Sequence, residues 1–326
     1  MTQSPLLPTE LVCAILGHLD DRLVALARPV SSEWCALADR QLLDSYRQRG
    51  VYVCDRAAAL GLLDVLQSLH GRGFALGPNV CAHAARGGHR HVLEWLKAND
   101  RPWDAKTCAE AARGGHLEVL LWLRANGCPY DASACAGAAR GGHLEILKQA
   151  REHGFPWNQT TCEQAARGGH LDILEWAVVA GCVFNQQECG NQAARRGHLF
   201  ILGWLAAYGM HATTWLCAYA AEGGHLVVLK WLRVQGYRWD KFTCAWAARK
   251  GHLAVLKWAI EQGCPYDALL CAMAAKAGRL DILQWARAKG CPWDERTCAW
   301  AAQGGHLKVL AWARENGCPR DKEACT

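Results

Sequence analysis

One cysteine recurs at a fixed interval along most of the chain, and this period constrains the fold more than any other feature. The interval is 27 residues, apart from one step of 28 between Cys189 and Cys217. Eight residues after most of these cysteines stands a histidine, as with Cys108 and His116, and Arg279 replaces it once. Such a period is typical of solenoids made of stacked units. The sequence therefore predicts about ten copies of one unit after residue 50.

Each unit is predicted to be two short antiparallel helices. Asp104 can cap the first helix by accepting hydrogen bonds from its free amides, and the alanine-rich stretch 105–113 favours a helix. Gly114-Gly115 then provides a left-handed stop, and a second helix begins near His116 and ends at Asn126-Gly127. One helix pair cannot bury its own core, so neighbouring units must stack. The predicted fold is an all-α solenoid.

Composition limits the class of protein. The chain has 326 residues, 51% hydrophobic and 20% charged, which is typical of a globular protein. Its apolar runs are too short for a membrane span, and its N-terminus does not resemble a signal peptide. Eighteen cysteines without any CxxC pair favour reduced thiols. We therefore expect an intracellular protein, cytoplasmic or nuclear, with no membrane partner.

The repeated cysteines, histidines and tryptophans are predicted to be structural. The recurring cysteine lies between alanines and is expected to pack as a small apolar residue, so neither a metal nor any other cofactor is expected. The histidine is expected to form a hydrogen bond across the Gly-Gly turn, since no single convergent site could make it catalytic. Core positions are expected for Trp95, Trp122, Trp176, Trp204, Trp231, Trp258, Trp285 and Trp312. Five units add a second cysteine: Cys128, Cys182, Cys264, Cys291 and Cys318.

Recognition is predicted where the copies differ. The residues ten, six and three positions before each histidine share one face of the first helix, which we call the variable stripe. Its middle position accepts Glu110, Gly137 and Trp246 alike, so we expect it to face solvent. An arginine ladder at the last position suits an acidic or phosphorylated partner, unless each arginine only offsets its own helix dipole. The ladder comprises Arg86, Arg113, Arg140, Arg167 and Arg195.

The later units carry apolar residues on the variable stripe. These residues are Trp215, Tyr219, Phe242, Trp246, Leu269, Met273 and Trp300, whereas earlier units have polar ones such as Lys106 and Gln164. A contiguous exposed apolar patch is typical of an interface. The alternative is lateral packing between first helices. We predict that a protein substrate binds here.

The unit resembles the ankyrin repeat. The stretch AARGGHLEVLLWLRANG is similar to that family's helical core, and the resemblance covers roughly residues 51–326. It implies that the variable stripe is the concave, partner-binding face. Two features depart from the family: TCAE stands where TPLH is usual, and each unit is about six residues shorter. We therefore expect a short turn instead of the family's projecting hairpin.

The first 45 residues fall outside the repeat and resemble an F-box. The matching residues are Leu7, Pro8, Glu10, Leu11, Ile15, Leu16, Leu19, Leu23, Leu26, Val30 and Trp34. A loop one residue short after Leu19, and the added Arg28-Pro29, depart from the family pattern. The resemblance implies docking on the linker subunit of cullin-RING ubiquitin ligases through Leu7, Pro8, Leu11, Ile15 and Leu16. The alternative is a helical cap on the solenoid.

These expectations combine into a two-domain protein without catalytic activity. Residues 1–45 would form the F-box-like domain, and residues 46–326 the solenoid that brings a substrate to the ligase. The combination is similar to proteins abundant in large DNA viruses of amoebae, which would place the chain in a host cell. One alternative is a plain binding scaffold without a ubiquitin link. A second, less favoured, is nucleic-acid or phosphate binding along the arginine ladder.

Overall fold

The computed structural model describes residues 53–71, 73–211 and 213–319. Throughout these ranges the chain forms helices joined by turns and loops, with no strand. The F-box-like segment and the proposed boundary at 45/46 lie outside the described residues and stay predictions.

The described residues form ten helix pairs. The first helices are 53–59, Val80–Arg86, Ala105–Gly114, Ala132–Gly141, Gln159–Gly168, Gln186–Arg196, Trp215–Gly223, Lys241–Lys250, Ala268–Lys276 and Glu295–Gln303. The second helices are Leu63–Gly71, Arg90–Ala98, Leu117–Ala125, Leu144–Glu152, Leu171–Val179, Leu199–Ala207, Leu226–Val234, Leu253–Glu261, Leu280–Ala288 and Leu307–Glu315. The 27-residue period therefore corresponds to one pair, as predicted.

The chain divides into two compact bodies, one ending at Thr161 and the other beginning at Cys162. In the first body, helix Ala105–Gly114 packs against both Val80–Arg86 and Ala132–Gly141. In the second, the first helices from Gln186–Arg196 to Glu295–Gln303 pack in sequence, each on the next. Each body is thus a stack of helix–turn–helix units, which confirms the predicted all-α solenoid class.

The helix ends follow from polar and glycine residues, as the sequence predicted. Asp104 accepts a hydrogen bond from the Thr107 amide at 3.2 Å, and Thr107 Oγ1 accepts one from the Asp104 amide in return. Such a reciprocal cap satisfies amides that have no partner within the helix. Gly115 ends the first helix with a φ of 89°, a conformation that costs glycine little.

The core lies between neighbouring units and is made of small first-helix residues and larger second-helix residues. Cys108, Ala111 and Ala112 have no exposed surface, and the same is true of Leu120 and Leu123. Small residues let adjacent first helices approach closely, while each buried leucine contributes about 1.5–3 kcal/mol of transfer free energy. The recurring cysteine therefore packs as a small apolar residue.

The eight recurring tryptophans do not lie in the core, so that prediction was wrong. All eight are half-buried, and the residue that follows each of them, such as Leu123 after Trp122, is buried. The ring of Trp122 makes an edge contact with Trp103, with ring centres 5.7 Å apart, and the Arg90 guanidinium lies 5.3 Å from its centre. The tryptophans therefore cover the flank of the second helices, where cations can also reach them.

Candidate protein-binding surface

The variable stripe crosses the first helices, but it is less exposed than predicted. The middle residues of the stripe are half-buried: His83, Glu110, Gln164, Gln192, Tyr219, Trp246, Met273 and Trp300. Gly137 is fully covered, because a Cβ there would meet the carbonyl oxygen of Ala109 at 2.2 Å. Neighbouring first helices approach so closely that each stripe residue rests partly on the next helix. The stripe is a shallow, partly covered surface.

Four aromatic side chains of the second body form one cluster on this stripe. Trp215 stacks on Phe242 and on Trp246, with ring centres 5.5 Å apart in both cases. The Tyr219 ring lies 5.3 Å from that of Trp246. Trp215 keeps 43% of its surface exposed, whereas the other three rings are half-buried. We call Trp215, Tyr219, Phe242 and Trp246 the aromatic cluster.

The other apolar candidates are less accessible. Leu269 exposes only 9% of its surface and packs between helices, so its expected exposure was wrong. Met273 is half-buried. Trp300 is also half-buried, and the Lys276 ammonium lies 5.1 Å from its ring centre. Leu269 therefore packs laterally between first helices, which is the alternative considered from the sequence. The aromatic cluster, in contrast, keeps the ring of Trp215 partly exposed.

In the first body a carboxylate neutralises part of the positive charge of the arginine ladder. Glu110 lies between two ladder residues, 3.8 Å from the Nε of Arg86 and 3.4 Å from the Nη1 of Arg113. The Arg140 side chain is half-buried. The ladder is therefore partly neutralised by its own helix face.

The same arrangement returns in the second body. Glu222 forms ion pairs with Arg195, whose Nε lies 3.0 Å from Oε2, and with Lys250, whose Nζ lies 3.7 Å from Oε1; the Arg195 guanidinium lies 4.3 Å from the Tyr219 ring centre. Arg167 is half-buried. Arg195 thus belongs to the edge of the aromatic cluster, and the charge available to an acidic partner is smaller than the sequence suggested.

The recurring histidine joins neighbouring units. Its Nε2 donates to a main-chain carbonyl of the preceding first helix, at 3.1 Å from His116 to Arg86 and from His225 to Arg195. The predicted structural hydrogen bond is therefore present, but the ring reaches the preceding unit and not a carbonyl of its own turn. Burial lowers the pKa of His89, His198 and His225. A ring held in this way supports the packing of neighbouring units.

Two glycines precede most of the recurring histidines and make room for close contacts between units. A Cβ on Gly114 would lie 2.2 Å from the Arg86 carbonyl oxygen, and one on Gly115 would lie 2.9 Å from the ring of His143 in the next unit. At this junction both glycines therefore permit the approach of two units, in addition to the left-handed turn.

Exposed apolar residues on the second helices were not anticipated. Phe200 exposes 86% of its surface and Val227 exposes 70%, each two residues after the recurring histidine. Other units have Glu118, Glu145, Asp172 and Asp281 at this position. The variable stripe was found by counting residues backwards from the histidine. Counting two residues forwards in the same way would have shown that acidic residues give way to Phe200 and Val227.

Two further features of the described ranges concern membranes and metal ions. No helix there is long and apolar enough to cross a membrane. Within the same ranges, no group of three or more His, Cys, Asp or Glu side chains is arranged to hold a metal ion.

The helix pairs define the class of the chain as an α-helical repeat protein built of stacked helix–turn–helix units. No protein-family model matches the chain, and no curated protein matches it. Among solved structures, 121 chains match. One of them is the crystal structure of the human ASB11 ankyrin repeat domain, at 20% identity and a TM-score of 0.37, with coverage of 48% of this chain and 84% of that chain.

Proposed function

We propose that the chain is a non-catalytic scaffold that binds a protein partner through the variable stripe of its second body. The observation that carries this proposal is the aromatic cluster, because Trp215 is 43% exposed although three other rings are available to cover it. Tryptophan and tyrosine are typical anchors of protein interfaces. Two repeated residue types that chemistry could use are engaged in packing: the recurring histidines hold main-chain carbonyls, and the described cysteines are buried.

Affinity capture from the native cell tests this proposal with a matched control. Trp215→Ala removes the exposed ring, while Tyr266→Ala removes a ring of similar exposure, 38%, outside the aromatic cluster. We expect the partner's affinity to fall by roughly thirty-fold, about 2 kcal/mol, with the first variant only. Equal retention by both folded variants would exclude the aromatic cluster as the binding surface.

We also propose that the N-terminal segment recruits a cullin-RING ubiquitin ligase through Leu7, Pro8, Leu11, Ile15 and Leu16. What supports this is the F-box-like spacing of apolar residues in the sequence. Leu11→Asp combined with Ile15→Asp should abolish co-purification with the ligase linker subunit, because a buried unpaired charge opposes docking. Trp215→Ala is the control and should still bind the linker. Absence of binding by folded wild-type chain would exclude the ubiquitin link and leave the scaffold intact.

A further inference from the structure

Five units place two buried thiols next to each other. The second cysteine follows the first by 20 residues in each: Cys108 and Cys128, Cys162 and Cys182, Cys244 and Cys264, Cys271 and Cys291, Cys298 and Cys318. All ten are buried and reduced in this structure. The second cysteine stands just after the second helix, on a loop that returns to the first helix. The five pairs therefore share one spacing in the sequence.

Hydrogen bonds locate the second thiol over the first helix of its own unit. Cys128 Sγ donates to the carbonyl oxygen of Asp104 at 3.4 Å, and Cys318 Sγ donates to that of Asp294 at 3.5 Å. In an α-helix that carbonyl points at the residue four positions later, which here is the first cysteine. Cys264 Sγ makes the equivalent bond to the carbonyl oxygen of Asp240, at 3.5 Å. Cys298 and Cys318 likewise share one packed cluster.

In two units without a second cysteine, the first thiol lies close to the main chain of the second-cysteine position. Cys135 Sγ lies 3.9 Å from the main-chain oxygen of Phe155, and Cys217 Sγ lies 3.9 Å from that of Tyr237. Phe155 and Tyr237 occupy the second-cysteine position of their units. The first thiol thus lies against the backbone of this position whichever side chain it carries.

We propose that these five cysteine pairs are sites of reversible disulfide formation, each within one unit. The reaction needs a two-electron oxidant, for which a diazene such as diamide is the probe. One thiolate adds to a nitrogen of the N=N bond, and the second sulfur then attacks the first and displaces the nitrogen. The S–S bond forms, both thiols lose their hydrogens, and the diazene is reduced to a hydrazine. Excess dithiol reverses the oxidation by exchange.

The disulfide would tie the first helix to the loop that follows the second helix. Both ends of the helix pair would then be held together, which limits how far a unit can open. Burial raises the pKa of Cys271 and of Cys318 to about 12, so thiolate is scarce at neutral pH. The reaction should therefore be slow at neutral pH and faster under mildly alkaline conditions.

Peptide mapping by mass spectrometry of the folded full-length chain, treated with diamide, tests the proposal. We expect the five intra-unit pairs to form, while Cys54, Cys81, Cys135, Cys189 and Cys217 stay reduced. Glutathione in the same tube reports that the oxidant is active. Persistent thiols at the five pairs despite oxidised glutathione, or pairing between units such as Cys81 with Cys128, would overturn it.

Two substitutions that the chain itself suggests make the test sharper. Cys264→Tyr copies the unit of Tyr237 and should leave Cys244 reduced while the other four pairs form. Phe155→Cys should give a sixth disulfide, to Cys135. A folded Phe155→Cys chain whose added thiol pairs elsewhere, or stays reduced, would contradict the common geometry. Oxidised wild-type chain should also unfold at higher denaturant concentration than reduced chain, and dithiothreitol should reverse the difference.

Discussion

The imidazole Nε2 of His143 donates a hydrogen bond to the carbonyl oxygen of Arg113, in the preceding unit, at 3.1 Å. That carbonyl lies at the end of helix Ala105–Gly114, where carbonyls lack partners within the helix. The His143 side chain therefore satisfies a carbonyl at the end of one unit's first helix and holds the next unit against it.

Removing this bond should weaken the first body. His143→Ala leaves the Arg113 carbonyl without its donor, and we expect a loss of about 1–3 kcal/mol in the free energy of unfolding. His143→Arg is the matched control, because Arg279 replaces the histidine in another unit and its Nη2 lies 3.4 Å from the Lys250 carbonyl oxygen. Chemical denaturation followed by circular dichroism measures both. Equal losses for the two variants would show that the bond contributes little.

The Gly-Gly pair should be intolerant of a methyl group. Gly114→Ala would place a Cβ 2.2 Å from a main-chain oxygen that cannot rotate away, so we expect destabilisation of about 1–3 kcal/mol. Gly203→Ala is the control, since a Cβ there meets nothing within 4 Å inside helix Leu199–Ala207. That change should stabilise by about 0.5–1 kcal/mol through helix propensity. Denaturation midpoints of the two variants should move in opposite directions.

Acidification should destabilise the folded chain through the buried histidines. Burial lowers the pKa of His198 and His225 below the ordinary value of 6.5, so the unfolded chain binds protons more readily than the folded chain. Above pH 6.5 these histidines should not lower the free energy of unfolding. As the pH falls from 6.5 toward their pKa in the folded chain, the free energy of unfolding should decrease. Denaturation at a series of pH values measures this slope. Replacing both residues with arginine should make it shallower; an unchanged slope would assign it to other groups.

Glu222 should stabilise the folded chain, and this contribution should be largest at low salt. Its carboxylate offsets Arg195 and Lys250, and Glu222→Gln would leave these cations facing one another. For a partly exposed network we expect a loss of about 0.5–1 kcal/mol, which added salt should reduce. Glu118→Gln, on an exposed second-helix position, is the control and should be close to neutral. A loss that is independent of salt would indicate a packing effect.

The helix pairs and their caps could be predicted from sequence because they are local. Asp104 at a helix start and Gly115 at a helix end act within a few residues, and similar signals recur in most of the described units. How deeply a side chain is buried, however, depends on how the neighbouring unit packs against it. Both Trp122 and Leu123 belong to an apolar run, and only the packing of adjacent helices decides that Leu123 is buried and Trp122 is half-buried.

Frame position predicted which aromatic residues lie together, but it did not predict the surroundings of the charged ones. Counting from the histidine placed Trp215 and Trp246 together, and the structure brings their ring centres to 5.5 Å. The same counting could not foresee that Glu110 and Glu222 lie between basic residues, because that depends on side-chain direction. Nor could it show that a histidine bonds a carbonyl 30 residues earlier.

The fit between a glycine of one unit and the histidine ring of the next has an evolutionary consequence. Gly115 meets His143 and Gly224 meets His252, and several other described junctions use the same complementary pair, while Arg279 takes the place of the ring beside Gly251. A gene duplication or deletion that keeps the 27-residue phase recreates such a junction wherever the crossover falls. Chain length can then change in whole units without compensating mutations. The one extra residue between Cys189 and His198 is accommodated in helix Gln186–Arg196, and the His198 ring still meets Gly169.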